Sequence, residues 1–126
     1  MLRAEELMIG DWVIVYEKAM PVKARVDGVY GNNAFVLGHP RTVENGFVEP
    51  IPITPEILEK NGFERGSDNL FSYGRGMYVM MWSKEHYSVG QIFGNWSAFV
   101  EFAEIRFVHE LQHCLKLCGI DKTIEL

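Results

Sequence analysis

Residues 104–118 constrain the fold more than any other stretch of this chain. Placed at about 100° per residue, Ile105, Phe107, Val108, Leu111, Cys114, Leu115 and Cys118 share one broad apolar stripe, and Gly119 supplies a stop. A helix with such a face cannot bury it alone. It needs a sheet or other helices to lie against, and the rest of the chain reads as short extended segments cut by turn residues.

Gly10-Asp11 gives a turn, and Trp12–Tyr16 reads as a strand of bulky apolar residues, followed by a connection over Lys18–Pro21. Val22, Ala24 and Val26 alternate with Lys23, Arg25 and Asp27, the period of a strand with one wet face. Gly31-Asn32-Asn33 turns the chain into a third strand, Ala34–Leu37. After a loop over Gly38–Arg41, Pro50 and Pro52 hold Gly46–Ile53 extended. These segments predict a small antiparallel sheet able to curl toward a barrel.

Thr54-Pro55-Glu56 is a helix start made of a hydroxyl cap, a proline at the first helical position and an acid at the positive end of the dipole. That helix runs over 54–60, and Asn61-Gly62 ends it. Residues 64–69 read as loop. Leu70–Tyr73 and Met77–Trp82 form a hairpin about Gly74-Arg75-Gly76, and Tyr87–Phe93 and Ser97–Phe102 extend it around Gly94-Asn95. The expected architecture is α+β: short N-terminal antiparallel strands, a short helix near 54–60, an antiparallel meander, the amphipathic helix 104–118, and a short closing strand over Lys122–Leu126. With no repeat or linker, residues 1–126 read as a single domain.

At 126 residues and 48% apolar, the chain can build a core without disulfides or metal. Its net charge of −5 comes from interspersed charges, which leaves no basic stripe for a phosphate backbone. The first seven residues carry no apolar run of signal-peptide length, and no segment is apolar enough to span a bilayer. A cytoplasmic protein with no membrane partner is expected. Cys114 and Cys118, four apart on one helix, are poorly placed to bridge and read as reduced thiols.

His109-Glu110-Leu111-Gln112-His113 fits H-E-x-x-H, which sets two imidazoles one helical turn apart for zinc, with the glutamate as general base. The third ligand is not supplied by the motif. Its extended form needs glycine and histidine where this chain has Lys116 and Gly119, which leaves His39, His86 or Glu125. On the wheel, His109 and His113 lie away from the apolar stripe, among Arg106 and Lys116, on a face expected to be solvated. The reading therefore assigns no catalytic residue, metal or cofactor. The alternative is a zinc-dependent hydrolase with His109 and His113 as ligands and Glu110 as base.

Other constellations carry less. Gly74-x-Gly76 lacks the third glycine of a dinucleotide loop, Met77–Trp82 reads as a strand apolar on both faces, and Cys114 beside His113 is no dyad because adjacent helical residues face apart. Lys23 and Arg25 with Tyr16 and Tyr30 would suit weak nucleic-acid binding, against the acidic total.

Three segments together, Leu7–Val13, Glu49–Phe63 and Val108–Gln112, resemble a family of small uncharacterised proteins common in Bacteroidetes genomes and their phage-derived or mobile regions. The typical helix of that family reads V-H-x-L-Q-N. The resemblance implies that His109 and Gln112 belong to a shared structural pattern, while Glu110 and His113 happen to complete H-E-x-x-H here. No activity comes with it. The expected function is a non-enzymatic accessory or protein-interaction module of phage-like or mobile-element origin, acting through a protein partner or self-association.

Overall fold

Val13 and Val15 are fully buried, whereas Trp12, Ile14 and Tyr16 beside them are not. That period of two is strand β1 (Trp12–Glu17). It belongs to the first of two units into which the backbone divides, Met1–Ile51 and Pro52–Leu126. The computed structural model describes residues 2–43, 48–66, 69–74, 76–93 and 98–126. The expected turn at Gly94-Asn95, the start of a strand at Ser97, Gly46-Phe47 and the hairpin centre Arg75 lie outside those residues.

In the first unit β2 (Met20–Tyr30), β3 (Asn33–Val36), β4 (His39–Thr42) and β5 (Val48–Pro50) join β1 in an antiparallel sheet of order β4-β3-β2-β1-β5. β2 pairs with β1 as far as Arg25 and with β3 from Val26 onward, and Asp27 is the extra residue where the register shifts. A bulge bends its strand and adds twist, so the sheet curls there. Among the described residues β4 and β5 form no pair, so it does not close. The connections expected at Lys18–Pro21 and Gly38–Arg41 are shorter than read. Lys18-Ala19 and Leu37-Gly38 turn in two residues with positive φ at both positions, which matches the twist of flanking strands and leaves Met20, Pro21 and His39–Arg41 to the ladder.

The second unit begins with α1 (Pro55–Lys60), capped by Thr54, whose hydroxyl accepts from the Ile57 N–H at 3.2 Å. A meander follows: β6 (Glu64–Arg65), β7 (Leu70–Tyr73), β8 (Met77–Ser83), β9 (His86–Phe93) and β10 (Ala98–Ile105), adjacent in chain order. Glu64 and Arg65, expected in a loop, pair with Ser72 and Phe71. The last helix, α2 (Val108–Leu117), is amphipathic as expected, with Val108, Leu111 and Leu115 at 0% exposure.

It starts later than position 104. Glu104 and Ile105 belong to β10, where they pair with Ser88 and Tyr87. Ile105 and Phe107 satisfy a period of two as well as one of 3.6, and the ladder with β9 decides between them. The closing strand does not form either. Ile124 is fully buried, but the terminal segment has no ladder. Two buried side-chain amides hold it instead. Gln112 donates to the Lys122 carbonyl at 2.7 Å and accepts from the Ile124 N–H at 2.8 Å. Asn61 does the same for both backbone groups of Glu125, at 2.7 and 2.6 Å. No helix among the described residues is long and apolar enough to cross a membrane.

Candidate functional site

The histidine face of α2 is not solvated as expected. His109 is 3% exposed and Gln112 5%, the latter hydrogen-bonded to the terminal segment. The His109 ring stacks on Phe107 with centroids 6.0 Å apart and meets His113 edge-on at 5.7 Å. Glu110 is engaged at the helix start. Its Oε1 accepts from the Arg106 and Phe107 N–H groups at 2.9 and 3.1 Å, the half of a capping box that a glutamate in the first turn supplies, while Phe107 at the cap position has no side-chain acceptor for the other half. A general base needs its carboxylate turned to a metal-bound water; this one faces backbone amides. Of the residues weighed as a third ligand, His39 is exposed in β4 of the first unit, and Glu125 has its backbone clamped by Asn61.

His86 is brought into a different company. On β9, Tyr87 and Val89 point into the core, so His86, Ser88 and Gly90 alternate onto the other face. Across the ladder Glu104 pairs with Ser88, Ala103 with Val89, and Glu101 with Gly90, leaving Phe102 as the extra residue of a bulge. In a regular strand, residues three apart face opposite sides. The bulge restores Glu101 and Glu104 to one face, beside His86.

The local contacts fix these groups. His86 Nε2 lies 3.3 Å from Glu104 Oε1, Trp82 Nε1–H donates to Ser88 Oγ at 2.8 Å, and the Ser88 hydroxyl donates a short hydrogen bond to Glu101 Oε1. Ser88 is fully buried although it lies on the outer face. Among the described residues, one ion could be gathered by His86, Glu101 and Glu104, whose ligating atoms all lie within 4.8 Å of one another; neither His109 nor His113 is in that group. The sequence reading reached His86 but passed over both glutamates, because their spacing hides a shared face until the bulge is known.

Several of the remaining candidates are engaged elsewhere. In the first unit the Arg25 guanidinium stacks over Trp12 at 4.9 Å, and the Tyr16 hydroxyl is hydrogen-bonded by Glu49, which raises its pKa. Of the four residues considered for nucleic acid, Arg25 and Tyr16 are thus met by neighbours of this chain, whereas Tyr30 is exposed. In the second unit the buried Tyr87 hydroxyl has no hydrogen-bond partner among the described residues. Burial first, then the charge of Glu56, raises its pKa, against an opposing effect of Arg65, so it remains a neutral phenol.

Cys114 and Cys118 are free thiols. Burial, then the neighbouring Cys118 and Glu110, pushes the Cys114 pKa up to about 11, whereas Cys118 is exposed. At pH 8 about one Cys114 in a thousand is then thiolate, the reactive form. Iodoacetamide at that pH will modify Cys118 well before Cys114, as peptide mass spectrometry of a time course would show. Equal rates would refute the burial assigned to Cys114.

Comparison with known proteins gives no matching family model, no matching curated protein and no matching solved structure.

Proposed function

We propose that the protein is a non-enzymatic accessory module that binds a protein partner through the outer face of β2, β3 and β4. The observation that carries this reading is a pair of aromatic side chains held outward by strand register. Ala34 and Val36 point into the core, which turns Asn33 and Phe35 out; Tyr30 pairs with Asn33 and Gly28 with Phe35, so Tyr30 and Phe35 are diagonal neighbours on one face. Pro40 and Thr42 continue the same rows on β4. Tyr30 is 80% exposed and Phe35 38%.

A rigid aromatic on a sheet, losing little rotamer freedom on contact, is the kind of anchor that dominates protein interfaces. The engagement of Glu110 by backbone amides supports the non-enzymatic half of the reading. The test compares capture of partners from a native lysate by the wild type and by Tyr30→Ser with Phe35→Thr, after both proteins are shown to be folded by circular dichroism. A protein retained by the wild type and lost from the variant is expected. Capture that is absent, or the same for both, refutes the assignment.

A further inference from the structure

We propose that His86, Glu101 and Glu104 form a binding site for a divalent transition-metal ion of the zinc class on the outer face of β9 and β10. The three ligating atoms lie within 4.8 Å of one another, and the His86–Glu104 pair is already at 3.3 Å. Around zinc, with bonds of about 2.0–2.2 Å, tetrahedral ligand atoms stand roughly 3.3–3.6 Å apart. The group therefore reaches coordination distance by side-chain adjustment alone, with both strands in place.

Two further observations separate this site from a chance cluster of surface acids. The first concerns His86 Nε2. The ring is partly exposed, yet this nitrogen is shielded from solvent, faces Glu104, and makes no hydrogen bond among the described residues even at 3.3 Å. A metal ion placed between this nitrogen and the carboxylate would engage both at once. The second concerns Glu101, whose carboxylate is oriented by the buried Ser88 hydroxyl, itself oriented by the Trp82 indole. Metal sites use such supporting hydrogen bonds to hold a carboxylate ligand in position.

One imidazole and two carboxylates suit zinc and its first-row neighbours, and the imidazole disfavours calcium and magnesium. Three protein ligands leave a fourth position for water. This site shares no residue with the H-E-x-x-H stretch, so the two are separable by mutation.

The test is titration of tag-free, metal-stripped protein with zinc against a chromophoric chelator, together with Trp fluorescence. The expected result is one zinc per chain, with affinity reduced at least tenfold in His86→Ala and in Glu101→Gln with Glu104→Gln, and unchanged in His113→Asn. Ser88→Ala, which removes only the support, is expected to weaken binding by about 10- to 100-fold. Circular dichroism on each variant confirms that loss of binding is not loss of fold. Absence of stoichiometric zinc, binding that survives His86→Ala, or binding lost in His113→Asn would each overturn the proposal. A plain His86–Glu104 ion pair corresponds to the first of these outcomes.

Discussion

Gly90→Ala will destabilise the protein by about 2–3 kcal/mol, the upper range for forcing extra volume into packed structure. Gly90 sits in β9 opposite Glu101, beside the bulge at Phe102. A Cβ built there would lie 2.9 Å from the Val100 carbonyl carbon and 3.0 Å from the Phe99 ring, and it would run into the Val100 carbonyl oxygen. Backbone cannot rotate aside as a flexible side chain can, so β9 and β10 must separate. Gly28 is an internal control, because it too is a strand glycine next to a bulge, yet its Cβ would meet only the Phe35 ring, at 3.9 Å. Gly28→Ala should be nearly neutral or slightly stabilising, since alanine restricts the unfolded chain. Urea unfolding followed by circular dichroism gives both values. Equal midpoints for the two variants would show that β10 does not approach β9 as described.

Gln112→Ala will cost about 2–3 kcal/mol and free the terminal segment. Its side chain satisfies the Lys122 carbonyl and the Ile124 N–H in one plane, and each buried group that loses such a partner costs about 1–3 kcal/mol. Ile124, fully buried, is placed by that clamp. Hydrogen exchange should therefore accelerate at the Ile124 amide more than at amides in the middle of β8. Gln112→Glu is expected to be intermediate, keeping the acceptor for Ile124 and losing the donor to Lys122. Unchanged exchange at Ile124 would show that the segment is held by something other than Gln112. Within the H-E-x-x-H stretch the glutamine, which metal chemistry would treat as a spacer, thus holds the terminal segment, as Glu110 holds the helix start.

Much of the fold was legible in local pattern. Thr54, Pro55 and Gly62 marked the limits of α1 because capping is settled within one turn of chain. β1 followed from its run of bulky apolar residues and the hairpin of β7 with β8 from turn residues, and Val108, Leu111 and Leu115 announced the buried face of α2. Where two periods fitted the same residues, local pattern failed. Glu104 and Ile105 could extend a helix or a strand, and only pairing with Ser88 and Tyr87 made them strand. The two-residue turns at Lys18-Ala19 and Leu37-Gly38 were misread because all but one of their residues lack the usual preference for positive φ.

The candidate site was less legible than the fold, for a reason of parity. The sequence by itself determined the amphipathic face of α2, the capped short helix, the antiparallel segments and the presence of two histidines at helical spacing. Tertiary structure decided what the polar residues do. A single unpaired residue, Phe102, turns Glu101 and Glu104 to one face beside His86, while packing buries His109 and the terminal segment occupies Gln112. Periodicity is a property of neighbours in sequence, so it can be read from the chain. A bulge and a side-chain clamp are bargains between distant segments, fixed only when each backbone group must find a partner in the folded protein.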